Sequence, residues 1–142
     1  MAYQTSNPAG VKEILAGDSE WTYVDVRTVE EFEQAHVPGS YNITIFFMSS
    51  QGMQPNPGFA DAVARAFEKQ RKLVLGCKAG RRSDQACQLL EAQGFENLIN
   101  MNGGFHGATD MSGRVLEPGW ATCGFETTQE CLPGRSWGEL QG

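Results

Sequence analysis

No apolar run in this chain of 142 residues approaches the ~20 residues that a membrane-spanning helix needs. The opening stretch, Met1-Ala2-Tyr3-Gln4-Thr5-Ser6-Asn7-Pro8, has neither a basic n-region nor an apolar h-region. No signal peptide is read there, and a cytoplasmic location is expected. Positive charge is also scarce: 11 Lys and Arg stand against 17 Asp and Glu, for a net charge of -6. That balance argues against nucleic acid or an acidic membrane surface as the main partner. Cysteine is limited to Cys77, Cys87, Cys123 and Cys131, with no Cys-x-x-Cys pair and no Cys/His cluster at zinc spacing. A disulfide framework is therefore excluded at this length, and no metal or cofactor is expected. A Cys123–Cys131 disulfide stays open beside the reduced pair that the cytosol would favour. No internal repeat is present.

What is there suits one soluble globular domain, with 40% hydrophobic and 20% charged residues and enough chain for a real core. Its organising stretch is Leu73-Val74-Leu75-Gly76-Cys77-Lys78-Ala79-Gly80-Arg81-Arg82-Ser83. A short apolar strand delivers Cys77 into a small basic loop, and a helix is predicted to follow from about Ser83. A loop curled between those elements turns its amide N–H groups onto the sulfur, forming an anion nest at a helix N-terminus. Backbone donors, helix dipole and nearby cations then favour thiolate over thiol and make the sulfur nucleophilic. The alternative is an ordinary buried cysteine at a strand end. Lys78, Gly80, Arg81, Arg82 and Ser83 weigh towards the reactive one. Three of the 11 cations lie here, leaving eight against 17 acids elsewhere. A local basic spot on an acidic body suits a small anionic substrate.

The rest of the chain alternates strands with helices. Ser6 or Asn7 caps a helix that has Pro8 in its first turn and stops at Gly17. Trp21–Arg27 reads as a buried strand that ends in Asp25 and Arg27. Thr28-Val29-Glu30-Glu31 is a capping box opening a short helix over about 29–35. After the turn His36-Val37-Pro38-Gly39-Ser40, a strand is predicted over Tyr41–Phe47, and Ser49–Gly58 reads as a loop. Val63, Ala66 and Phe67 recur at helical spacing after Phe59, ahead of the basic cluster Lys69, Arg71 and Lys72. The helix after the cysteine loop covers about 83–93, with Gly94 as its C′ residue. Asn97–Met101 is the last strand, and Gly103-Gly104-Phe105 turns out of it. Such alternation means an α/β fold, a mostly parallel sheet with helices on both faces. Sites in that architecture form at strand C-terminal ends, where both Cys77 and Arg27 fall. The tail after Thr109 reads as an irregular wrap with helical turns near Trp120 and Trp137.

Several separated motifs then fall in one family's order. They are Asp25-Val26-Arg27, Glu31-Phe32, His36-Val37-Pro38-Gly39-Ser40-Tyr41-Asn42-Ile43, the Cys77-to-Ser83 loop, and Gly94-Phe95 through Asn102-Gly103-Gly104-Phe105. Together they resemble a single-domain rhodanese, a thiosulfate sulfurtransferase, over about residues 6–107, with 108–142 as a C-terminal extension of the same domain. The resemblance implies a three-layer fold with a five-stranded, mostly parallel sheet. It implies Cys77 as sulfur carrier, with Lys78, Ala79, Gly80, Arg81, Arg82 and Ser83 forming the substrate cradle and Arg27 nearby. Thiosulfate or a persulfide is the implied donor; cyanide, a small thiol or a partner protein is the acceptor. In one departure, the tryptophan that often follows the Gly-Gly-Phe turn in the family is absent: Ala108 stands near that position.

Two rival readings fit the loop less well. A cysteine phosphatase or arsenate reductase needs Cys-x5-Arg, so that the arginine clamps a tetrahedral oxyanion. Here the position is Ser83, and Arg82 gives only Cys-x4-Arg. A non-catalytic rhodanese-like interaction module would fit a missing loop cysteine, yet Cys77 is present. His36 in its Pro-Gly turn reads as structural, Asp25 as an orienting partner for Arg27, and Cys87 as core. His106 follows the Gly-Gly turn towards the pocket rim and is given no role.

Overall fold

The computed structural model describes residues 3–17 and 20–141. Its main sheet has five parallel strands in the order β1-β7-β6-β2-β3. In chain order these are β1 (Gln4–Ser6), β2 (Thr22–Asp25), β3 (Tyr41–Asn42), β6 (Lys72–Gly76) and β7 (Asn97–Met101). Helices α1 (Pro8–Gly17), α2 (Val29–Gln34), α3 (Phe59–Ala66) and α4 (Arg81–Ala92) make the connections. Strand alternation divides the core. Leu73 and Leu75 face a cluster with Ala62 and Val63 of α3 and Ala86, Cys87 and Leu90 of α4. Val74 faces the other way, onto Val11 of α1 with Ile99, Phe105 and Trp120. The result is the expected α/β architecture with helices on both faces.

The structure corrects several boundaries. The fifth strand is Gln4–Ser6, three polar residues at the sheet edge. Their exposure removes any apolar periodicity that could announce a strand. Asn7 rather than Ser6 caps α1, its Oδ1 accepting from Gly10 N–H at 2.9 Å. The strand predicted over Tyr41–Phe47 splits after Asn42. Ile43 and Ile45 still donate to Asp25 and Val26 carbonyls at 3.1 and 3.2 Å. The chain then leaves the sheet, and β4 (Phe46–Ser49) pairs antiparallel with β5 (Gly52–Pro55) inside the stretch read as a loop. The tail adds another hairpin, β8 (Ala108–Thr109) with β9 (Val115–Glu117), and a single turn α5 (Trp137–Leu140). Trp120 is buried in one core cluster, while Trp137 packs against the other. All four cysteines are free.

Two ion pairs tie the loops at the strand C-terminal ends. Arg27 and Asp25 are each 1% exposed. The Arg27 Nε reaches Asp25 Oδ1 at 3.0 Å and its Nη2 reaches Oδ2 at 2.7 Å. Nη2 also donates to the Ala35 carbonyl at 2.6 Å, and the guanidinium lies 4.3 Å from the Phe105 ring centroid. The predicted capping box opens α2, with Glu31 N–H on Thr28 Oγ1 at 3.3 Å and Thr28 N–H on Glu31 Oε1 at 3.1 Å. The same carboxylate takes both ends of the Arg82 guanidinium, at 2.7 and 3.0 Å. Helix α2 is thereby braced to the first turn of α4.

Each pair has a consequence for stability. Truncation in Asp25→Ala leaves Arg27 buried and uncompensated, and should cost about 3–5 kcal/mol in urea denaturation. The double variant Asp25→Leu/Arg27→Met should recover much of that; a loss under about 1 kcal/mol for Asp25→Ala would contradict this account. Burial alone would raise the Glu31 pKa, but Arg82 and the Thr28 donors outweigh it and lower it from 4.5 to about 2. A lowered carboxylate stabilises the fold above its ordinary pKa and loses that contribution as pH falls towards about 2. Glu31→Gln should therefore flatten the acid limb of the stability curve in that window. A variant limb as steep as that of the wild type would contradict the brace.

Candidate active site

Strand β6 ends on Gly76, where a Cβ would collide with the buried Tyr23 phenol. Cys77 follows at the strand tip, 2% exposed. Gly80 then takes φ +110, a backbone region that side chains disfavour, and so turns the chain into α4 within three residues. The helix starts at Arg81 rather than near Ser83, so Ser83 lies inside its first turn. This shorter loop aims the Gly80 N–H at Cys77 Sγ, 3.1 Å away. The sulfur thus sits at the amino end of a twelve-residue helix, where unpaired N–H groups and the helix dipole favour negative charge. Ser83 is fully buried, with its Oγ 3.4 Å from Sγ.

That hydroxyl has one proton and three acceptors in reach. The shortest contact is to Asn100 Oδ1 at 2.5 Å, followed by the Gly80 carbonyl at 3.2 Å and the sulfur. Asn100 Nδ2 donates back to the Gly80 carbonyl at 3.4 Å. Asn100 is a polar residue buried on β7, and no motif in the sequence singles it out. Its signal is an amide among the apolar residues Leu98, Ile99 and Met101 of the strand interior, a placement that needs a partner.

The four cations expected around the loop divide into two kinds. Arg27 and Arg82 are held by Asp25 and Glu31, and their fork donors face those carboxylates. Lys78 and Arg81 are exposed and have no ion-pair partner among the described residues. Ala79 is half-buried between them. A cleft of about 680 Å³ opens beside the loop, lined among others by Lys78, Arg81, Asn100, Asn102 and Leu116. Among the described residues, no group of three His, Cys, Asp or Glu could hold a metal ion.

The Gly103-Gly104-Phe105 turn backs the loop. Phe105 N–H donates to the Cys77 carbonyl at 2.7 Å, and His106 N–H to the Lys78 carbonyl at 2.9 Å. A Cβ on Gly104 would meet both of those carbonyl oxygens at 2.5 Å, so only glycine permits this approach. Cys87, one helical turn beyond Ser83, is fully buried. Burial, then the Asp84 and Glu91 charges, push its thiol pKa up, which suits a core residue. His36 is buried too. Its ring stacks on Phe32 at 3.7 Å, and its nitrogens face the Phe32 and Glu130 carbonyls. It anchors the tail, far from the sulfur in role.

Comparison with known proteins supports the same assignment of fold. The model of the rhodanese-like domain matches residues 7–110. Rhodanese-like domain-containing protein 17 of Arabidopsis thaliana is 40% identical over 90 residues, 62% of this chain and 58% of its own length. Thiosulfate sulfurtransferase 16, chloroplastic, from the same plant is 33% identical over 108 residues, covering 74% of this chain and 90% of that protein. The mitochondrial Protein HIGH ARSENIC CONTENT 1, also from Arabidopsis, is 39% identical over 88 residues, 62% of this chain and 52% of its own length. The chain thus spans little more than half of two of these relatives. The crystal structure of Rv0390 from M. tuberculosis superposes with a TM-score of 0.74 at 25% identity, covering 91% of this chain and 100% of that one. By a domain match that takes in four of the five sheet strands, the capping box and the whole cysteine loop, this chain belongs to the rhodanese-like domain family.

Proposed function

We propose that this protein is a sulfurtransferase in which Cys77 takes the outer sulfur of thiosulfate, or of a persulfide donor, and passes it to a thiol or to cyanide. The observation that carries this is the Gly80 N–H on Cys77 Sγ at 3.1 Å, at the mouth of α4. Relatives named thiosulfate sulfurtransferase, at 33% and 32% identity, support it. Attack by the thiolate forms a bond from Sγ to the outer sulfur. The donor's own S–S bond breaks, and sulfite leaves with the electron pair. The persulfide anion stays under the loop amides until an acceptor removes its outer sulfur and restores the Cys77 thiolate, a ping-pong cycle.

The other loop residues take roles that follow from their partners. Lys78 and Arg81, unpaired and exposed, meet the donor's oxygens. The Ala79 and Gly80 backbone, with the Ser83 hydroxyl, stabilises sulfur anions. Arg27 and Arg82 contribute positive field from within their ion pairs rather than direct contact. That commitment of Arg82 also disfavours the phosphatase rival, whose arginine must be free to clamp an oxyanion. Four free cysteines suit the cytoplasmic setting expected from the sequence. A small thiol or a thiol on a partner protein completes the cycle.

Steady-state kinetics test this reading. Thiocyanate formation from thiosulfate and cyanide should give parallel double-reciprocal lines, and Cys77→Ser should abolish it. Gly80→Ala places a side chain at φ +110 and should slow sulfite release by about tenfold, the effect of ~1–2 kcal/mol of backbone strain at the amide donor. Turnover by Cys77→Ser at the wild-type rate would overturn the assignment.

A further inference from the structure

The two halves of the proposed cycle differ in their need for a base. Loading joins the Cys77 sulfur to the outer sulfur of thiosulfate, a donor that brings no proton to lose. Return to a thiol is different, because the acceptor enters as R–S–H and must lose its proton as it attacks. Around the loop, most ionisable groups are unable to take it. Asp25 and Glu31 are held in ion pairs, while Arg27, Arg82 and Lys78 are cations.

His106 stands apart from these. Its backbone N–H on the Lys78 carbonyl, at 2.9 Å, fixes it alongside the second residue of the loop. Its ring meets Phe105 edge-on at 5.1 Å, and Phe105 lies against the Arg27 guanidinium. The residue is exposed, and neither ring nitrogen has a hydrogen-bond partner among the described residues. Three charged groups act on it: Arg27 from the end of β2, Lys78 from the loop and Glu31 from α2. Partial desolvation by the neighbouring loop first, then Arg27 and Lys78, hold the imidazole pKa below its ordinary 6.5 against a smaller opposing pull from Glu31. These influences favour the uncharged ring, the form that can accept a proton.

We propose that His106 is the general base that deprotonates an acceptor thiol during sulfur return from Cys77. The proposal rests on the sulfurtransferase reading above. One imidazole nitrogen takes the thiol proton as the thiol sulfur bonds to the outer sulfur of the persulfide. The Sγ–S bond breaks, its electron pair returns to Cys77 as thiolate, and R–S–S⁻ departs. The imidazolium then releases its proton to water. No oxidant or reductant is consumed.

The test compares two acceptors on protein loaded beforehand with thiosulfate. One is 2-mercaptoethanol, mostly protonated at neutral pH; the other is thionitrobenzoate, already a thiolate. His106→Gln should slow discharge to 2-mercaptoethanol by about 100-fold, and leave loading and discharge to thionitrobenzoate within about twofold. The wild-type rate with 2-mercaptoethanol should carry an extra fall on the acid side, as His106 becomes protonated, that His106→Gln lacks. Free imidazole should restore part of the rate to His106→Ala, a rescue that a packing role would not give. Equal slowing with both acceptors, or an unchanged rate with 2-mercaptoethanol, would overturn the proposal. Failure of the wild type to load at all would bring down the sulfurtransferase reading first, and this proposal with it.

Discussion

The buried Asp25–Arg27 pair is the constraint on which the site depends. Two charges at 1% exposure are tolerable only because the guanidinium is almost fully used, by Asp25, the Ala35 carbonyl and the Phe105 ring. That use sets the geometry above it. Phe105, held against Arg27, donates its N–H to the Cys77 carbonyl, so the strand tip is fixed from behind. From the other side Asn42 donates to the Asp25 and Arg27 carbonyls at 3.0 and 3.1 Å. A cysteine can be aimed at a loop amide only if both ends of the loop are held, and here the holding begins one strand away.

The electrostatics divide labour in the same way. Spent cations, Arg27 and Arg82, bind scaffold carboxylates and position elements. Free cations, Lys78 and Arg81, stay at the surface, where an anionic ligand can reach them. A site with all four unpaired would repel itself, and one with all four paired would have no direct contact for a substrate. The Ser83–Asn100 pair adds a neutral donor whose single proton can turn towards the sulfur when charge develops there. Such preorganised donors, needing no rearrangement of the backbone, are the usual source of anion stabilisation in enzymes.

Much of this was legible in the sequence because the signals were local. Thr28 and Glu31 form the capping box their spacing announces, and Cys77 through Ser83 form the strand-to-helix turn their composition demands. Arg27 was placed near the site from its position at a strand end. What escaped was long-range or locally ambiguous. Glu31 and Arg82 are 51 residues apart, and no pattern links them; their ion pair exists only once α2 and α4 have docked. Asn100 and Ser83 meet for the same reason. The strand read over Tyr41–Phe47 ends its regular pairing at Asn42 although its apolar run continues; Ile43 and Ile45 keep single hydrogen bonds to the Asp25 and Val26 carbonyls and are buried in the core cluster. Gln4–Ser6 joins an edge whose exposed side chains need no apolar pattern.

The central claim is that Cys77, and no other cysteine of the four, carries transferred sulfur. Intact mass after incubation with thiosulfate, followed by peptide mapping, tests it most directly. The account predicts a gain of one sulfur atom on the peptide that contains Cys77, and none in Cys77→Ser. An unchanged mass, or sulfur found instead on Cys87, Cys123 or Cys131, would contradict it.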